Sequence, residues 1–78
     1  MRVEMMIGGH RAMVQPEHVK VFLKKQTLVS LALELQKLVK ANPKNTGLAT
    51  ELGRTMGKII NLNRRMKREG IYWTPANA

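Results

Sequence analysis

The chain contains no cysteine and no aspartate, and only three of its residues are aromatic: Phe22, Tyr72 and Trp73. Without cysteine there is no disulfide to support the fold and no thiolate metal site. Five glutamates are its only acids, scattered at 4, 17, 34, 51 and 69, and no Gly-rich phosphate loop is present. Nothing in that set reads as an acid/base pair or nucleotide cradle, so the chain is read as a non-enzyme that needs no cofactor. His10 and His18 stand eight residues apart, too few ligands for the three or four a metal needs. No apolar run reaches the ~20 residues of a membrane span, and the start, MRVEMMIGGHR, lacks the apolar core of a signal peptide. These absences predict a cytoplasmic domain with no membrane partner.

What remains is 78 residues, 44% of them hydrophobic: one small domain over 1–78. A chain of this size buries only about 60% of its unfolded surface, which leaves a thin core. Charge is the dominant property. Fourteen Lys and Arg against five acids give a formal +9. Such a balance suits a polyanionic partner, nucleic acid before anionic membrane. Seven bases are spread over residues 2–40, one is Lys44, and six fall between Arg54 and Arg68, where there is no acid.

Residues 1–15 read as a β-hairpin about Gly8-Gly9, or as a flexible arm. Pro16 suits the first position of a helix, and Val19, Phe22 and Leu23 follow at helical spacing. Thr27 is a candidate cap for a helix over 28–41, with Leu28, Leu31, Leu35 and Leu38 as its core stripe, widened by Val29, Leu33 and Val39. ANPKNTG ends that helix. A short helix is expected from Thr46 to Leu52, with Asn45 and Thr46 as caps. Gly53 would form a left-handed turn and Thr55 would cap a last helix to Glu69, ended by Gly70. IYWTP closes the chain's pattern as a short strand.

Two helices joined by a tight turn, the second one basic, define a helix-turn-helix. NTGLATELGRTMGKIINLNR, residues 45–64, resembles that motif in bacterial, phage and plasmid regulators. Ala49 matches the small residue between the helices, Leu52 and Gly53 the turn, and Ile59 with Leu62 the inner face of the second helix. LNRRMKREGIYW resembles the end of a recognition helix in winged-helix repressors, and the likeness spans about residues 27–74. It implies a mainly α, winged-helix-like domain with its helix-turn-helix core over 27–70. A full C-terminal wing does not fit after Gly70, so pairing of the hairpin with Ile71–Thr74 is expected instead. Arg54 departs from the pattern, which favours an apolar residue after the turn glycine, and so does Gly57 early in the second helix.

The resemblance implies a small transcriptional regulator or accessory DNA-binding protein, with helix 55–69 in the major groove. Thr55, Met56, Asn61 and Arg64 are then the candidate base contacts, with Gly57 and Ile60 also facing outward. Thr46, Arg54, Lys58, Arg65, Lys67 and Arg68 are the candidate phosphate contacts. Double-stranded DNA is the expected partner and the nucleoid the expected location. Regulators of this type commonly act as dimers. The 28–41 helix and the Met-rich N-terminus are two candidate contacts for a homodimer. Trp73 is expected in the core, and Tyr72 either there or at the surface. Two other readings use the same charge: a basic module docking on an acidic protein, and a sequence-independent nucleic-acid binder.

Overall fold

The computed structural model describes residues 1–76 and is mainly helical. Two strands, β1 (Val3–Ile7) and β2 (His10–Val14), precede a 3-10 turn at Pro16–His18. Two long helices follow, α1 (Val19–Ala41) and α2 (Thr46–Glu69), and then a two-residue strand, β3 (Thr74–Pro75). The sheet is antiparallel throughout, with order β1-β2-β3.

The hairpin forms as its glycines suggest. Gly8 and Gly9 have φ of 56° and 82°, both left-handed, as a two-residue primed turn requires. The pairing Val3↔Val14, Met5↔Ala12, Ile7↔His10 puts alternate residues on one face. That face carries Ala12 and Val14, which are buried, while Glu4, Met6 and Arg11 are exposed on the other. β3 joins the free edge of β2 through Ala12↔Pro75 and Met13↔Thr74. The expected pairing of the hairpin with the C-terminal segment therefore forms, at Thr74–Pro75. Pro75 is tolerated there because β3 is an edge strand, with no further neighbour to receive an N–H.

α1 differs from expectation in its start and in its buried face. It begins at Val19 and runs unbroken through Thr27, whose hydroxyl donates back to the Leu23 carbonyl and caps nothing. Lys24, Lys25 and Gln26 are good helix formers, so the two helical stretches fuse. The seam is Val21, Lys25, Leu28, Ala32, Leu35 and Val39, spaced four and three residues apart; Ala32 and Leu35 are buried in it and the rest half-buried, with Phe22 buried beside it against the sheet. Leu31 and Leu38 lie outside it and are 48% and 44% exposed. Ala32 takes the place in the seam that a larger leucine would have filled, and its small side chain lets α2 approach.

α2 corrects the helix-turn-helix expectation. It is one helix from Thr46 to Glu69, with no break at Gly53, whose φ is not positive. Thr55 is not a cap; it is 4% exposed, and its hydroxyl donates to the Glu51 carbonyl. Ala49, expected between two helices, is exposed. A single glycine costs a helix only about 1 kcal/mol, and the flanking seam of Leu48, Leu52, Thr55, Ile59, Leu62 and Met66 outweighs it. The true turn lies earlier, in Asn42–Asn45. The Asn42 amide donates to Leu38, and the Asn45 side chain accepts from the Leu48 amide. Asn45 is therefore the cap, and Thr46 the first helical residue. Gly70, at φ 69°, ends α2 as expected: its amide donates to Lys67 and the Ile71 amide to Met66.

The sheet packs at the end where α1 starts and α2 finishes. Val14, Phe22, Leu62, Met66 and Ile71 form the core, with Met5, Ile7, Leu28 and Trp73 packed against it. Trp73 is half-buried and stacks on His10 at 6.4 Å, whereas Tyr72 is 73% exposed. From this end the helix pair projects as a single layer, and the molecule measures 49 × 24 × 16 Å.

Candidate nucleic-acid interface

A continuous, capped α2 decides how its bases are displayed. At about 100° per residue, Arg54, Lys58, Asn61, Arg64, Arg65 and Arg68 fall within an arc of about 120° on one side of the seam. The fifteen residues from Arg54 to Arg68 span about 21 Å of helix axis. Five bases and one amide thus lie along one flank, with no acid between the first and last. Glu51 and Glu69 bracket the arc. Arg54 Nη1 lies 3.1 Å from Glu51, and Arg65 Nε lies 2.7 Å from Glu69. Both pairs are exposed, so they are weak and exchangeable for a stronger anion. Lys58, Arg64 and Arg68 make no ion pair among the described residues.

Inside the arc is a groove of about 470 Å³ between the helices, lined by Lys24, Leu28, Lys58, Asn61, Leu62 and Arg65. Lys24 and Leu28 come from α1; Leu28 was expected in its core stripe, whereas Lys24 was missed because that helix was expected to start at Leu28. Continuing the helix back through Thr27 is the signal that would have found it. Asn61 sits mid-arc with cations to either side. Its amide can both donate and accept, which suits the edge of a base.

The other expected contacts scatter. Thr55 is buried in the seam and cannot reach a base. Met56 is 44% exposed, yet lies across the seam from the cations. Arg64 is on the outer edge of the arc, while Lys67 falls beyond it, on the side of Met56 and Ile60. Thr46 is at the far end of α2 from Arg68, about 33 Å away by helical rise, too far to share a local cluster. Arg54, Lys58, Arg65 and Arg68 are the expected phosphate contacts that the helix does bring together.

The opposite flank is apolar. Val29, Ala32 and Leu33 of α1 and Met56, Ile59 and Ile60 of α2 line a groove of about 160 Å³ with one polar member, Gln36. Because its residues lie across the seam from Lys24, Lys58 and Arg65 on both helices, the two grooves occupy opposite sides of the pair.

The chain matches no protein-family profile, and no curated protein or solved structure matches it. Among the described residues no group of three His or Glu could hold a metal ion. No helix there is long and apolar enough to cross a membrane. In the hairpin, a hydrogen bond from Arg11 holds the Glu4 carboxyl below its ordinary range.

Proposed function

We propose that this protein binds double-stranded DNA through the cationic flank of α2, as a small regulator or an accessory DNA protein. The observation that carries the reading is the acid-free arc from Arg54 to Arg68 on one rigid helix, widened by Lys24. A helix about 10–12 Å across enters a major groove about 12 Å wide. In that pose Lys24, Arg54, Lys58, Arg65 and Arg68 neutralise phosphates, and Asn61 and Arg64 meet base edges. The reading does not depend on a helix-turn-helix. A continuous helix presents Lys58, Asn61, Arg64, Arg65 and Arg68 together, flanked by α1 in place of a short leading helix.

Fluorescence anisotropy on random-sequence duplex across a salt series tests it. Neutralising about five phosphates predicts that log K falls against log[salt] with a slope near −4.5. The double variant K58E/R65E should weaken binding at least about 100-fold at low salt, as expected for reversing two of those contacts. K37E/K44E removes the same charge away from the arc and should have a much smaller effect. Equal losses in the two variants would reduce the binding to net charge alone. No binding by wild type at low salt would leave the flank to an acidic protein partner.

A further inference from the structure

The apolar flank is larger than its central groove. A second groove of about 450 Å³ is lined by Met6, Ile7 and Gly8 of the hairpin and by Phe22, Gln26 and Val29 of α1, with Lys25 and Ser30 on its walls. Val29 lines both grooves, so they run together from the β-turn along α1 to Met56 and Ile60. Near the sheet this side is covered, and Phe22 is only 2% exposed. Beyond it the same side is open: Val29 is 38% exposed, Leu33 54%, Met56 44% and Ile60 48%.

Surface area shows that the chain as a whole is under-covered. The chain exposes 5961 Å². A folded monomer of 8.9 kDa is expected to expose about 4,800 Å². The excess, about 1,100 Å², is of the size that each partner of a standard interface removes from water, about 800 Å². Charge narrows the choice of partner. A chain of +9 opposes a second copy wherever its cations meet, but Val29, Leu33, Met56 and Ile60 are uncharged. Pairing through them points the Lys24, Lys58 and Arg65 flanks outward and leaves Lys25 and Lys67, on this side near the sheet, at the edge of the contact.

We infer that the Val29–Leu33–Met56–Ile60 face is a self-association surface, on which a second copy of this chain packs its own helix pair to make a four-helix layer stack. The methionine-rich hairpin and the helix at 28–41 are then one contact, because Met6 and Val29 line the same groove. The inference stands apart from DNA binding and is tested without nucleic acid.

Sedimentation equilibrium of the full chain should give a dimer at micromolar concentration. Leu33→Lys with Ile60→Lys should give a monomer whose far-UV circular dichroism matches wild type, since both side chains are already about half exposed. Leu31→Lys with Leu38→Lys makes the same change at equally exposed leucines outside this face and should remain dimeric. A reading free of substitutions is the wild-type thermal midpoint, which should rise with protein concentration from about 1 to 100 µM as mass action requires. A monomeric wild type with a midpoint independent of concentration overturns the inference. So does a dimer that survives at Leu33/Ile60 and dissociates at Leu31/Leu38.

Discussion

The two halves of the helix pair are built from similar residues but are buried very differently. Beside the sheet, Phe22, Leu62 and Met66 are at most 6% exposed. Toward the Asn42–Asn45 turn, Ala32, Leu35 and Thr55 are buried, whereas Leu31, Leu33 and Leu38 remain half in water. Composition does not explain this; the number of layers does. Near the sheet each helix has two neighbours, while in the projecting half each has only the other. A helix with one neighbour buries one stripe, and the rest of its apolar surface stays open whatever the sequence.

The strongest test of this contrast exchanges one residue type between the halves. Leu62→Ala, in the core beside the sheet, should cost about 2–5 kcal/mol, a large part of the stability of a domain this small. Leu38→Ala, in the projecting half and outside both grooves, should stay within about 0.5 kcal/mol. Urea unfolding of both proteins at one fixed concentration measures the difference. Similar costs would mean that the projecting half is as fully packed as the end beside the sheet.

Gly53 within α2 and Gly70 at its end sharpen the comparison at a smaller scale. Gly70, beside the sheet, has φ 69°, and an added Cβ would clear its nearest neighbour, a Tyr72 ring carbon, by 4.0 Å. Gly70→Ala should therefore destabilise by about 1–2 kcal/mol through the left-handed backbone alone. Gly53, in the projecting half, has ordinary helical φ and nothing within 4 Å of an added Cβ. Gly53→Ala should stabilise by about 1 kcal/mol and raise helicity by circular dichroism. The sign at Gly53 is decisive. If residues 46–69 were two helices around a glycine turn, this substitution would destabilise as Gly70→Ala does.

How legible these features were follows the same division. Gly8-Gly9, Pro16, Pro43 and Gly70 mark local backbone states that other residues adopt poorly, and the boundaries they mark lie where the sequence put them. The seam of α1 was read one stripe off because α1 is apolar on several sides. Leu28–Leu31–Leu35–Leu38 and Leu28–Ala32–Leu35–Val39 both have helical spacing, and only the approach of α2 selects the second. The break at Gly53 was read from a local pattern that tertiary packing overrode. Within the site, Lys58, Asn61 and Arg65 were found because an i, i+3, i+7 spacing shares a face however the helix begins. Thr55 was misplaced because its role depended on the break, and Lys24 was missed because it lies on the other helix.

The smallest expected effect lies at the outer face of the sheet, where Glu4 and Arg11 pair across the hairpin. Hydrogen bonding from Arg11, aided by its charge, lowers the Glu4 pKa in the folded protein. A carboxyl whose folded pKa lies below its unfolded value binds more protons when unfolded. Its contribution is therefore present above the unfolded value and is lost as pH falls through the folded one. Both side chains are well exposed, at 43% for Glu4 and 60% for Arg11, so solvent screens the pair. Thermal midpoints between about pH 5 and pH 3 should fall slightly more steeply for wild type than for Glu4→Gln, which keeps the shape and loses the titration. The core buried behind the hairpin, Ala12 and Val14, is untouched by the substitution, so the two proteins should coincide at the acid end. Parallel curves across the whole range would show that the pair adds nothing, leaving the hairpin held by its turn and its buried face alone.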